Sequence, residues 1–125
     1  ILRESFPNPE LMRFEKHRVW VLEATLKEGI RHIYGKRRFL IDEDSWQIAL
    51  ADNYDQHGKL WRTSEAHALN YYQVPVQWST LEVYYDLKEQ RYLVSGLDNQ
   101  RTPYRFSDQA DPREFSPNAL SFYIR

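Results

Sequence analysis

Hydrophobic and polar residues alternate over most of the chain between residues 17 and 97, and this two-residue period is typical of β-strands. Short turns rich in glycine, aspartate or other polar residues separate the alternating stretches. The six predicted strands cover residues 17–27, 31–41, 46–54, 60–72, 79–87 and 91–97, and a seventh edge strand is predicted near Tyr104–Phe106. The pattern therefore predicts a mainly β fold, an antiparallel meander of six to seven strands.

The third predicted strand has the most regular alternation. Trp46, Ile48 and Leu50 are predicted to share one of its faces, with Ala49 and Ala51 on the other. Several other strands also have large residues on one side and small or polar residues on the other. Such a distribution favours a curved sheet.

The two ends of the chain lack this alternation. Residues 1–16 contain Pro7 and Pro9 and predict an extended arm, with a short turn of helix beginning at Pro9. Residues 98–125 predict an irregular tail, in which Ser116 followed by Pro117 marks the start of a short helix. The chain is thus divided into an arm, a meander at residues 17–97 and a tail.

A six-stranded meander is an open sheet, which has two faces and two edges to cover. The sequence contains no long amphipathic helix that would lie across either face. We therefore expect the rest of a larger protein, or another chain, to close the sheet.

Composition excludes several classes of protein. The 17 basic and 18 acidic residues nearly balance, whereas a nucleic-acid-binding domain usually has a clear basic excess. Without cysteine the chain has no disulfides, thiolate zinc sites or cysteine nucleophiles. Its 125 residues suffice for one domain that buries about two thirds of its unfolded surface. Because the chain begins at Ile1 and has no signal peptide, we also expect it to be a piece of a longer protein.

Candidate catalytic and metal-binding motifs are few. The acidic stretch Asp42–Asp44 lacks the alternating ligands and central glycine of a calcium loop, so we interpret it as a solvated turn. Glu65 and His67 are two residues apart on a predicted strand and are expected to project from one face, as a polar ladder or, alternatively, as an acid–base pair. No nucleophile elbow or phosphate loop is present. We predict no enzyme, metal or cofactor.

The basic stretch Lys36-Arg37-Arg38 is interpreted as part of a strand. On a strand Lys36 and Arg38 share one face and Arg37 lies on the other. Pairing with acidic residues on neighbouring strands is favoured over a polyanion site.

Aromatic residues make up 15% of the chain, and its four tryptophans fall on or beside four different predicted strands. Side chains of this kind form either ordinary core or the wall of an apolar ligand cavity. The predicted cavity lining consists of Trp20, Trp46, Trp61, Trp78, Leu81 and Val83.

Several uncommon strings occur together in this chain, and their order resembles a known family. These strings are residues 14–26 (FEKHRVWVLEATL), 36–38 (KRR), 42–49 (DEDSWQIA), 60–62 (LWR) and 85–87 (YDL). They resemble the C-terminal part of a proteobacterial family of unknown function whose members are usually described as outer-membrane lipoprotein-sorting proteins. The resemblance covers about residues 6–98.

The resemblance implies a fold similar to the lipoprotein carriers of the Lol pathway, an unclosed antiparallel barrel around a hydrophobic cavity. It implies that the chain is the C-terminal half of a larger β domain. The expected location is the periplasm, or the periplasmic face of the outer membrane, of a Gram-negative bacterium. No binding residues are carried over, because none is assigned in the family.

Two functions follow as expectations. The first is a non-enzymatic binding or carrier domain for a lipid or other hydrophobic molecule. The second is a structural or interaction module of the cell envelope that uses an exposed sheet edge. The expected partners are a hydrophobic ligand or lipid, the rest of its own chain or another envelope protein, and a second copy paired through sheet edges. No nucleic-acid partner is expected.

Overall fold

Six antiparallel strands form a single sheet in which every strand pairs with its neighbours in the sequence. The computed structural model describes residues 2–97, 106 and 111–123, without the side chains of residues 120, 122 and 123. The strands are β1 (Val19–Thr25), β2 (Lys36–Asp42), β3 (Ile48–Tyr54), β4 (Leu60–Tyr71), β5 (Val76–Asp86) and β6 (Arg91–Ser95). Within the described residues β1 and β6 are the two edges, so the sheet is unclosed and the predicted fold class is confirmed.

Short helical elements flank the sheet. A 3-10 turn covers Pro9–Leu11 and a second covers Pro112–Phe115. The helix α1 covers Pro117–Tyr123, and the Ser116 hydroxyl accepts a hydrogen bond from the Ala119 amide as the predicted cap. No helix among the described residues is long and apolar enough to cross a bilayer.

Two strand starts differ from the prediction by more than two residues. β2 begins at Lys36 and not at Arg31, because residues 31–34 belong to the loop after β1. β5 begins at Val76, directly after Pro75, because the turn that reverses the chain ends at this proline. The predicted edge strand near Tyr104–Phe106 lies outside the described residues apart from Phe106, which is in no strand.

β-bulges change which residues share a face. Leu40 pairs with Leu50, but Ile41 pairs with Ile48, so Ala49 is an extra residue in β3. Ile48 and Leu50 therefore lie on opposite faces, and the prediction that they share one was wrong. Trp46 is not in the strand, since it lies in the preceding turn with a φ of 60°. Its side chain is among the most exposed of the large apolar groups, with 71% of the residue accessible.

The register defines two faces, because directly paired residues point to the same side. One row across the sheet consists of Val21, Leu40, Leu50, Glu65, Val83 and Val94. We call this side the arm face, because the N-terminal arm contacts it. The Tyr92 hydroxyl exchanges two hydrogen bonds with the backbone of Arg3, and the Phe14 ring meets His67 edge-on at 5.6 Å.

The sheet has almost no core. Among the described residues Val83 is the only fully buried hydrophobic side chain, at 0% exposure. The accessible surface of 10791 Å² compares with about 7,100 Å² for a compact monomer of this mass. The expectation that the chain buries a core by itself was wrong, since a single layer has nothing to pack against.

Candidate functional site

The face opposite the arm face contains a trough with a floor of small side chains. One row across it reads Leu22, Phe39, Ala51, Ser64, Tyr84 and Leu93, in register from β1 to β6. The two central strands contribute Ala51 and Ser64, and Ala66 lies two residues further along β4. Larger side chains stand on either side of this floor. We call this side the trough face.

The large side chains of the trough face are exposed. Leu22 is 52% exposed, Tyr84 44% and Leu93 64%, and in the next row Trp20 is 57% exposed and Ile48 46%. Contiguous apolar surface of this kind marks a site for a ligand or a partner. A hollow of about 410 Å³ lies over β4–β6, and Ser64, Tyr84 and Leu93 line it.

A charged row crosses the sheet beside the apolar row. Its members are Ala24, Arg37, Asn53, Arg62, Asp86 and Arg91, again in register. Arg62, Asp86 and Arg91 line the same hollow as the apolar residues. The trough thus has a cationic end next to an apolar floor.

The carboxylate of Asp86 organises this end. It accepts hydrogen bonds from Trp61 Nε1 at 3.1 Å, Arg62 Nε at 3.0 Å and the Glu89 amide at 3.2 Å. Burial opposes ionisation of Asp86, but the Glu89 amide, the Arg62 guanidinium and the Trp61 indole outweigh it and lower the pKa of the carboxyl group. A β-bulge at Trp61 allows the indole to turn toward the same carboxylate as Arg62.

Tyr34, from the loop between β1 and β2, connects two of the arginines. Arg62 donates to its hydroxyl at 3.0 Å, and the Arg37 guanidinium lies 5.1 Å from its ring centre. The hydrogen bonds to Tyr34 and then to Asp86 raise the pKa of Arg62. The Tyr34 ring also meets Trp61 edge-on at 5.7 Å. The aromatic pair therefore holds the guanidinium groups in position.

The six residues predicted to line a cavity are divided among several places. Trp20 lies on the trough face, and Trp61 lies at its cationic end. Leu81 and Val83 lie on the arm face, as does Trp78, which pairs with Leu69 two residues beyond His67. Trp46 lies in the β2–β3 turn, off the sheet. Two of the six are thus brought together at the trough.

Glu65 and His67 project from the arm face. His67 Nε2 lies 3.5 Å from Glu65 Oε2 but is not aligned for a hydrogen bond. Tyr85, on the adjacent strand, donates its hydroxyl to Glu65 at 3.2 Å, and burial followed by the Glu65 charge raises the pKa of this phenol to about 12. The Phe14 ring lies against His67. The expectation that Glu65 and His67 share a face is confirmed, and they form a polar ladder under the arm.

The acidic turn after β2 is occupied by local contacts. His17, Asp42 and Asp44 place potential metal-ligand atoms within 4.8 Å of one another. Both oxygens of Asp42 are already engaged, one by His17 Nδ1 at 3.1 Å and the other by the Ser45 amide at 2.9 Å and hydroxyl at 2.6 Å. This pattern is that of a capped turn.

Most of the trough was not foreseen from the sequence. Alternation along β3 and β4 already places small residues at Ala51, Ser64 and Ala66. What it does not provide is the register that aligns them with Tyr84 and Leu93 on other strands. The prediction favoured large aromatic residues, whereas the floor of the trough consists of small ones.

Comparison with solved structures finds a similar fold. The chain superposes with a TM-score of 0.51 on a "putative outer membrane lipoprotein-sorting protein domain" from Vibrio parahaemolyticus, at 18% identity, covering 82% of this chain and 41% of that one. At this identity the likeness concerns the fold alone.

Comparison of sequences finds a relative and a family. The chain is 48% identical over 121 residues to the uncharacterized protein PA3922 of Pseudomonas aeruginosa. The alignment covers 96% of this chain but spans only 27% of the length of that relative. Residues 1–121 match the family described as "Protein of unknown function (DUF1329)". The chain belongs to this family, as the resemblance in its sequence predicted.

Proposed function

We propose that this chain is a non-enzymatic binding or carrier domain for a lipid or other hydrophobic molecule, which lies in the trough. The observation that carries the proposal is an apolar sheet face with a floor of small residues at Ala51, Ser64 and Ala66. Small side chains flanked by Phe39 and Tyr84 leave room for a ligand where a packed sheet has large residues.

Burial of apolar surface provides the driving force. Each Å² of apolar surface removed from water contributes about 25 cal/mol, shared between the ligand and the side chains it covers. Leu22, Tyr84 and Leu93 are about half exposed or more, so a ligand gains contact on both sides of the floor. No bond needs to be made or broken, and none of the residues that line the trough forms a nucleophile–base pair.

The proposed location is the cell envelope of a Gram-negative bacterium, in the periplasm or at the periplasmic face of the outer membrane. Two observations support it. The relative at 48% identity is from Pseudomonas aeruginosa, and the protein of similar fold bears a name that refers to outer membrane lipoprotein sorting.

The test measures the uptake of an uncharged apolar fluorophore, N-phenyl-1-naphthylamine, by the full-length protein. We expect fluorescence enhancement in the unmodified protein and its loss in Ser64→Leu, which fills the floor. Thr25→Leu adds a similar side chain at an exposed position on the arm face and is the matched control, with binding unchanged. Absence of uptake by the unmodified protein, or equal uptake by both variants, would contradict the proposal. Native mass spectrometry after gentle purification provides a second readout, a co-purifying lipid.

A second candidate function is an interaction module that pairs through the edge strand β1. The Leu26 amide donates to Gly35, so even-numbered residues of β1 direct their backbone groups toward β2. Val21 and Glu23 therefore present theirs outward, which is the geometry for strand addition. Glu23→Pro removes one outward donor at a position where an edge strand tolerates proline. If the unmodified protein takes up no fluorophore, loss of an envelope partner or of a dimer in this variant would support the module and not the carrier.

A further inference from the structure

We propose that the trough selects anionic amphiphiles, molecules with an apolar chain and a carboxylate, phosphate or sulfate head. The head is held at the row formed by Arg37, Arg62 and Arg91, and the chain lies over Ala51 and Ser64. This inference rests on the proposed function and names the class of ligand for the same site.

The row of arginines has more positive than negative side chains. Three guanidinium groups stand in it against the single carboxylate of Asp86. That carboxylate already accepts bonds from Arg62, Trp61 and the Glu89 amide. Arg91, directly opposite Asp86 on β6, adds a further positive charge beside an acceptor that is already satisfied. The row therefore retains a surplus of positive charge that an anionic head neutralises.

The charge of the trough changes sign along the strands. Glu82 lies on the same face as Tyr84, two residues from it on the side away from Asp86, and accepts a hydrogen bond from the Tyr84 hydroxyl. One end of the trough is thus cationic and the other anionic, with Ser64 and Tyr84 in the row between them. An amphiphile with a negative head is oriented by this field, with its head at the arginines.

The three arginines are evenly spaced across the sheet. Arg37, Arg62 and Arg91 lie on alternate strands, so their backbones are spaced about 10 Å apart. Tyr34 contacts the first two, and Arg62 and Arg91 line the hollow of about 410 Å³ together with Leu93. Guanidinium groups bind carboxylate and phosphate oxygens through two parallel hydrogen bonds, which a hydroxyl head cannot match.

The experiment compares two ligands that share a chain, dodecanoate and dodecanol, in displacing N-phenyl-1-naphthylamine from the protein in its natural length. We expect dodecanoate to bind about tenfold more tightly at low salt when its carboxylate is ionised, because it alone makes charge-assisted hydrogen bonds. The preference should decrease as salt is added. Inorganic phosphate alone should not compete, since it lacks the chain.

Arg91→Gln is the diagnostic variant, because Arg91 is exposed and removing its charge leaves the Asp86 contacts of Arg62 and Trp61 in place. We expect it to weaken the binding of dodecanoate several-fold more than the binding of dodecanol. Arg13→Gln removes the same charge from the arm, at a side chain 84% exposed, and should retain the preference.

The outcomes separate the two proposals. Equal binding of both ligands, or an equal loss in both variants, would overturn the selection of anions and leave the carrier function standing. If phosphate competes as strongly as dodecanoate, the row of arginines binds a free anion, and the proposal that the trough selects amphiphiles is overturned. Failure of the fluorophore and both ligands to bind would overturn both proposals, as expected if a protein segment covers the trough face.

Discussion

Replacing Gly96 with alanine tests how β6 is held against the bulge in β5. Gly96 follows β6 with a φ of 86°, and a Cβ built on it would overlap the carbonyl oxygen of Thr80. Thr80 is the extra residue between Ser79, which pairs with Ala68, and Leu81, which pairs with His67. The glycine therefore allows the chain after β6 to pass directly over the backbone of the bulge.

The expected cost has two parts. A left-handed backbone costs an L-residue about 1–2 kcal/mol. Alanine also lowers the conformational entropy of the unfolded chain, and this effect offsets about 0.4–1 kcal/mol of that cost. At Gly96 the new methyl group also overlaps backbone atoms, and forced shifts of this kind cost about 1–3 kcal/mol more. We expect Gly96→Ala to lower the free energy of unfolding by about 2–4 kcal/mol.

Gly29→Ala is the matched control, because Gly29 has a similar φ of 79° and a Cβ added to it would meet no atom within 4 Å. It incurs the backbone cost alone, about 1 kcal/mol. Urea unfolding of the protein in its natural length, followed by circular dichroism, measures both variants. Equal destabilisation by the two substitutions would refute the argument, because it would show that the contact with Thr80 contributes nothing.

Three further predictions concern the sheet and its charged groups. Val83→Ala should destabilise the fold by about 2 kcal/mol, since it removes methyl groups from a fully buried site. Leu93→Ala, at a residue that is 64% exposed, should cost less than about 1 kcal/mol. Similar midpoints of the two variants in urea unfolding would contradict this difference. Asp86→Ala should lower the free energy of unfolding by about 2–3 kcal/mol, because Trp61 and Arg62 lose a charged hydrogen-bond acceptor. A melting temperature equal to that of the unmodified protein would contradict this expectation. The Lys88 ammonium and nearby backbone amides lower the pKa of Asp55 to about 2. The ionised Asp55 therefore stabilises the folded state above the ordinary pKa of 3.8, and this stabilisation is lost as pH falls through 2. Asp55→Asn should therefore flatten the stability profile between those pH values, and an unchanged profile would exclude Asp55 as the cause.

Local sequence determined the strands and their turns. Alternation located all six strands, because its two-residue period follows the pleat of a β-strand. Pro9 and Ser116 marked the short helical turns at the two ends, through effects that act within one turn of helix. The family was recognisable in the same way, from strings that stand in order along the chain.

Tertiary structure decided the faces and the site. The extra residue Ala49 moves Ile48 to the face opposite Leu50, and strict alternation contains no sign of it. Arg37, Arg62 and Arg91 are far apart in sequence and form one row only because the register of five strand pairs aligns them. The small size of the core was also not predictable from the sequence, because composition gives the number of apolar residues but not the number of layers that bury them. Short-range preferences thus define the strands, whereas register and layering define what the sheet presents to a ligand.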